Sequence, residues 1–167
     1  MSTHEHKKNA ITNIGYYVIT VSDTRTKEDD TGGQLIMSMV KDGGHSVVGY
    51  EIIKDDLNSI TKHFLEITER EDVDAVIMTG GTGIARRDIT PEAILPLLDK
   101  NLPGFGEIFR GLSMQEIGSA AMMSRALAGT KNGKAIFCIP GSRGGIRLAM
   151  GSLILEETGH MLWEMRK

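Results

Sequence analysis

The hydrophobic positions of this chain fall into two rhythms, and their alternation predicts its architecture. Ile14 to Val21 is a nearly unbroken β-branched and aromatic run, the pattern of a strand buried on both faces. It ends in Ser22-Asp23-Thr24-Arg25, and the polar loop continues to Asp30. A helix is predicted over 32–42, capped by Thr31, with Leu35, Ile36, Met39 and Val40 on one face and Gly43-Gly44 at its end. Val47 to Ile53 reads as a second strand. Asp55-Asp56 then leads into an amphipathic helix at 57–70, with Ile60, Phe64, Leu65 and Ile67 as its buried stripe. A third strand is expected at 74–79. Two short helices follow at 91–99 and 104–112, broken by Pro103-Gly104. The small-residue segment 117–129 is expected to hold an extended piece near 117–123. Lys134 to Ile139 is another buried strand, and a helix over 145–165 turns Ile146, Met150, Leu153, Ile154, Met161 and Leu162 inward.

Strands alternating with helices of this length predict a three-layer α/β fold, a mostly parallel sheet with helices on both faces. In such a sheet every strand-to-helix loop lies at the carboxyl edge, where ligands bind. The loops at Ser22-Asp23, Asp55-Asp56, Gly80 to Asp88 and Pro140 to Gly145 are therefore expected to form one composite site. A length of 167 residues fits one domain. We expect residues 1–13 to be a loose polar arm, with His4 and His6 simply solvated, and residues 14–167 to be the domain. Nineteen basic against 22 acidic residues give a net charge of −3, which offers no field for nonspecific nucleic-acid binding. Cys138 is the single cysteine, so no intrachain disulfide forms, and its apolar neighbours point to core packing. No apolar run reaches the ~18 residues of a membrane span. The polar N-terminus does not resemble a signal peptide, and a cytoplasmic location is expected.

The most informative stretch is Thr79-Gly-Gly-Thr-Gly-Ile-Ala-Arg-Arg-Asp88, followed by Ile89-Thr90-Pro91. Gly80, Gly81 and Gly83 let the backbone turn tightly, and Thr90-Pro91 reads as a hydroxyl cap followed by proline at the first helical position. Exposed amide groups at a helix entrance suit phosphate or carboxylate oxygens, and Arg86 and Arg87 add guanidinium groups. The spacing is neither a Walker A loop nor a dinucleotide fingerprint. Asp55, Asp56 and Asp88 are predicted on one edge, where one or two carboxylates with substrate phosphates would hold Mg²⁺; helix capping is the competing role for Asp56 and Asp88. Ser142, in Pro140-Gly141-Ser142-Arg143-Gly144-Gly145, offers a second anion contact or a plain helix cap. Glu107 and Ser124-Arg125 are either ligand contacts or ordinary surface.

At these residues the chain resembles the MogA/MoaB family of molybdenum cofactor biosynthesis proteins, related to the gephyrin G domain. The resemblance runs from Gly15 onwards. It is carried by Val21-Ser-Asp-Thr24 with Asp30-Thr-Gly32, Ile52-Ile-Lys-Asp-Asp56, the glycine loop through Ala93, Pro103-Gly-Phe-Gly-Glu107, Ser124-Arg125 and Ile139-Pro-Gly-Ser142. Lys54, where many members have proline, and the late Pro-Gly-Ser-Arg loop place it nearer the MoaB branch. The resemblance implies a molybdopterin-binding domain and adenylylation of the pterin's terminal phosphate by Mg-ATP, with release of pyrophosphate. Asp55 and Asp88 become the acidic residues, with Mg²⁺ nearby. Thr79, Gly80, Gly81, Thr82, Gly83 and Arg86 would hold anionic ligand, while Ser22, Asp23, Pro140, Gly141 and Ser142 line the remainder. It further implies a homotrimer or hexamer, with the downstream metal-insertion protein as a candidate partner. Two alternatives stay open: a noncatalytic molybdopterin carrier, and a sugar-phosphate or nucleotide enzyme on a similar sheet.

Overall fold

The computed structural model describes residues 10–167; the stretch 1–9, including His4 and His6, lies outside the described residues. The elements are β1 (Gly15–Val21), α1 (Thr31–Asp42), β2 (Ser46–Ile53), α2 (Leu57–Thr68), β3 (Ala75–Thr79) and α3 (Thr90–Ile94). There follow β4 (Lys100–Asn101), α4 (Pro103–Ile117), β5 (Leu127–Lys131), β6 (Lys134–Ile139), α5 (Arg143–Ala149) and α6 (Leu155–Met165). Short 3₁₀ turns follow α3 and α4, and a π turn, Met150–Ile154, joins α5 to α6.

The six strands form one sheet in the order β2-β1-β3-β6-β5-β4. The first four are parallel, and β5 runs antiparallel to both β6 and β4. Alternation along the strands splits the core in two. Tyr16, Val18, Ala75, Ile77, Ala135 and Phe137 pack with α1, α4, α5 and α6 on one face. Tyr17, Ile19, Val76, Met78, Ile136 and Cys138 pack with α2 and α3 on the other. Two-sided burial is why the central strands β1, β3 and β6 are apolar at most positions. The expected three-layer, mostly parallel α/β fold is what forms.

Several local expectations change. Thr31 does not cap α1: Asp30 does, its carboxylate accepting from the Gly33 N–H. Leu65 is 38% exposed and leaves the α2 stripe to Ile60, Phe64 and Ile67. α4 extends to Ile117, and 118–123 is a 3₁₀ turn instead of an extended piece. The strand of that region lies later, at 127–131, as half of a hairpin with β6. Its turn is Asn132-Gly133, both with positive φ (49° and 72°), the pairing a two-residue hairpin demands. The π turn rotates α6 relative to α5, so that Ile146 and Met150 before it and Ile154 and Leu162 after it all reach one core.

Register then builds the ligand edge. Val21 pairs with Ile53, Thr20 with Thr79, and Thr79 with Ile139. The loops after β1, β2, β3 and β6 consequently emerge side by side. No helix among the described residues is long and apolar enough to cross a membrane.

Phe137 is 2% exposed and its ring lies 5.5 Å from that of Phe105. Phe137→Ala is expected to cost about 3–5 kcal/mol in urea unfolding. Burial pushes the Cys138 thiol up to about 12, so a thiol reagent should modify it only after denaturant is added.

Candidate functional site

The site is built around the backbone that leaves β3. Gly80 and Gly81 have φ of 101° and 67°, conformations that side chains resist. Space is equally short: a Cβ on Gly80 would lie 2.5 Å from the Val21 carbonyl oxygen, and one on Gly81 would lie 2.3 Å from Thr90 Oγ1. Thr90 does not cap α3. Its hydroxyl donates to the Gly80 carbonyl at 2.9 Å and its N–H to the Gly81 carbonyl at 3.0 Å, closing the loop on itself. Thr79 Oγ1 donates to the Pro140 carbonyl at 3.1 Å, tying this loop to the one after β6. The N–H groups of Gly81, Thr82, Gly83 and Ile84 donate to no acceptor among the described residues. Such a run of free amides forms a natural cradle for an anion.

The carboxylates divide by environment. Asp56 caps α2, accepting the Ser59 N–H at 2.9 Å. Asp30 is 2% exposed and accepts from Thr20 Oγ1 (2.6 Å), Tyr50 Oη (2.5 Å) and the Gly33 N–H (2.9 Å); burial and this carboxylate raise the Tyr50 phenol. Both are structural anchors. Asp88 Oδ2 accepts the Ala85 N–H at 2.8 Å and would lie 2.7 Å from a Cβ on Gly83. Asp55 is different. Its Oδ1 is buried with no hydrogen-bond partner among the described residues, and would lie 3.4 Å from a Cβ on Gly81. Burial pushes the Asp55 carboxyl above the usual range, and the charges of Asp23 and Asp88 add to this against the opposing pull of Arg87. Asp23 accepts the Asp55 N–H at 3.1 Å and lies 3.7 Å from Arg87.

The remaining sequence-predicted residues occupy the same edge in mixed roles. Ser22 Oγ accepts the N–H of Arg25 at 3.1 Å and shapes its own loop. Ser142 caps α5 through the Gly145 N–H. Arg86 and Arg87 are exposed beside the loop. Glu107 lies apart, in a groove of about 440 Å³ bordered by Arg110 and Met122. A pocket of about 320 Å³ is lined by Gly80 to Gly83, Asp88, Ser124, Pro140 and Gly141. It shares Ser124 and Pro140 with an apolar pocket of about 310 Å³ walled by Phe109, Ile117, Ala121 and Leu148. It shares Gly80 and Gly141 with a smaller one of about 120 Å³ beside Ser22 and Arg25. The edge is thus one groove, polar in the middle and apolar at one end. The apolar wall was not foreseen, because its residues come from α4, the turn after it and α5.

The molybdopterin-binding family model, described as "Probable molybdopterin binding domain", matches residues 17–160. The chain belongs to the MogA/MoaB family. It is 50% identical over 168 residues to molybdenum cofactor biosynthesis protein B of Bacillus cereus, covering all of this chain and 99% of that protein. A crystal structure of a molybdenum cofactor biosynthesis protein B superposes with a TM-score of 0.90 at 50% identity, covering 93% of this chain and 97% of the other. The tungsten cofactor synthesizing protein MoaB of Pyrococcus furiosus gives 0.85 at 36% identity, over 95% and 100%. The chain is a homologue of molybdenum cofactor biosynthesis protein B with a mixed α/β fold. In this family member the groove runs along the carboxyl edge of its parallel strands.

Because the Asp55 carboxyl sits above its ordinary value of 3.8 in the folded chain, ionising it works against folding. Its contribution is fully present below 3.8 and is lost as pH rises through the folded value. Asp55→Asn should therefore raise the melting temperature at pH 7–8, with the gain fading towards pH ~4. Melting curves across that range test this; a lower melting temperature at neutral pH would make Asp55 a structural residue.

Proposed function

We propose that this protein binds molybdopterin and adenylylates its terminal phosphate with Mg-ATP. The observation that carries the reading is the partnerless buried oxygen of Asp55, which faces a glycine loop whose other flank holds Asp88. A half-buried carboxylate with one oxygen shielded from water and unpaired, at a cost to folding, is a mark of a working group. An oxygen of the pterin phosphate attacks the α-phosphorus of ATP; the new phosphoanhydride bond forms as the bond to pyrophosphate breaks. Two anions must be brought together, so positioning and charge neutralisation supply most of the rate.

The chain's own residues support each part. The free amides of the glycine loop offer donors to phosphate, and exposed Arg86 and Arg87 lower the local negative potential. Among the described residues no group of three or more His, Cys, Asp or Glu side chains is arranged to hold a metal ion. Mg²⁺ is commonly held through one or two carboxylates together with waters and phosphate oxygens. Asp55 and Asp88 are the residues that would hold it, and when bound it would neutralise phosphate charge. The apolar pocket beyond Ser124 suits the flat pterin body. A homotrimer or hexamer belongs to the same reading. It is supported by the exposed apolar side chains Ile108, Met114, Ile117 and Met122 on α4 and its turn.

The deciding experiment is pyrophosphate release from Mg-ATP with and without molybdopterin. Release should require the pterin and fall ~100-fold or more in Asp88→Asn. Asparagine can still accept the Ala85 N–H, so this variant keeps the loop and removes the charge. Pterin binding without any release would instead identify a noncatalytic carrier. Sedimentation velocity should show trimers or hexamers; a monomer at micromolar concentration would contradict the assembly.

A further inference from the structure

Arg125, two residues before the start of β5, sends a donor from each of its four nitrogens into the glycine loop or the helix behind it. Its N–H donates to the Thr82 carbonyl at 2.9 Å. Its Nε donates to the Gly83 carbonyl at 2.8 Å and its Nη2 to the Asp88 carbonyl at 2.5 Å. Its Nη1 pairs with Glu92 on α3, and the guanidinium holds that carboxyl below the usual range. The backbone on either side is braced in turn. Arg110 Nη1 donates to the carbonyls of Ser124 (3.2 Å) and Ala126 (3.3 Å). Gly106 makes room for this contact: a Cβ there would lie 2.6 Å from the Ala126 carbonyl oxygen and 2.8 Å from the Arg110 guanidinium. A chain of contacts therefore runs from α4 through Arg110 and Arg125 to the loop that lines the central pocket.

In a trans peptide the C=O of one residue and the N–H of the next point in opposite directions. Drawing the Thr82, Gly83 and Asp88 carbonyls towards Arg125 turns the N–H groups of Gly83, Ile84 and Ile89 away from it. The first two are among the amides that have no acceptor among the described residues. We propose that Arg125 is the positioning residue of this site. Its planar fork holds one edge of the glycine loop, so that the opposite edge presents its N–H groups to a ligand phosphate. The guanidinium is not among the groups lining the central pocket; it borders the neighbouring groove, and three of its five N–H groups go to two loop carbonyls and Glu92. This rests on reading the loop as a phosphate cradle. Lysine could not replace it, since a single ammonium cannot span the two carbonyls and the carboxylate.

The test compares wild type with Arg125→Ala, Arg125→Lys and Glu92→Gln. Amide hydrogen exchange of 80–90 is followed in the ligand-free protein, with the β6 segment 134–139 as an internal reference. In both Arg125 variants exchange in 80–90 should rise ~10-fold or more while β6 stays protected, because hydrogen bonds from a charged donor are lost locally. Glu92→Gln should give a smaller change in the same segment. In pyrophosphate release, the pterin KM should rise ~10-fold or more in both Arg125 variants with kcat falling by less than ~3-fold. Added guanidinium should recover part of the affinity in Arg125→Ala and none in Arg125→Lys. Unchanged exchange in 80–90 would overturn the proposal, as would an equal rise in β6, which would make Arg125 a residue of general stability. A wild type that releases no pyrophosphate would remove the proposed reaction, and the exchange results would still decide the role of Arg125.

Discussion

The ligand edge rests on the approach of the Gly80 backbone to the carbonyl oxygen of Val21, where an added Cβ would lie at 2.5 Å. The chain leaving β3 is pressed against the end of β1, and only a residue without a side chain can take the φ that this path needs. From that contact the rest follows. The loop turns early enough for Thr90 to close it through two hydrogen bonds. It also passes near enough to Asp55 and Asp88 for both carboxylates to sit against its glycines. A looser turn would leave the same residues present and the amides aimed at solvent.

Much of the fold was legible because the physics of a parallel sheet writes itself into composition. β1, β3 and β6 are buried on both faces and so carry apolar side chains at successive positions. β5 escaped notice for the converse reason. The middle of Leu127-Ala-Gly-Thr-Lys131 carries small residues, and at Gly129 the backbone of Lys100 and the side chain of Leu98 leave no room for more. Asn132-Gly133, both at positive φ, makes the turn of its hairpin with β6. Asp56 was legible as a cap, since its partner lies three residues away. Asp30 was not, because two of its three partners, Thr20 and Tyr50, belong to other strands. Arg125 was harder still. Its acceptors are mostly backbone carbonyls some forty residues upstream, and a carbonyl leaves no signature in sequence.

The aspartates at this edge show how one residue type is sorted into several jobs. Asp30 and Asp56 give their oxygens to hydrogen bonds that hold helices in place. Asp23 accepts the N–H of Asp55 and so fixes the backbone of its neighbour. Asp88 divides its role, steadying the loop through Ala85 while lying beside Gly83. Of these aspartates, Asp55 is the one with a buried oxygen that has no partner among the described residues. Desolvation and two like charges then work against its ionisation, a penalty that a bound cation would reverse.

The groove also constrains what can occupy it. Its centre offers backbone donors and two carboxylates, a combination suited to phosphate only when a cation bridges the negative groups. Its end beyond Ser124 combines an apolar wall of Phe109, Ile117, Ala121 and Leu148 with Ser113, Glu116 and Ser142, which offer partners to the polar edge of a ring. A free sugar phosphate would leave that wall uncovered, and a purely apolar ligand would leave the amides of Gly81 to Ile84 unpaired. A flat ring system carrying a terminal phosphate answers both halves at once, and a phosphorylated pterin has that constitution.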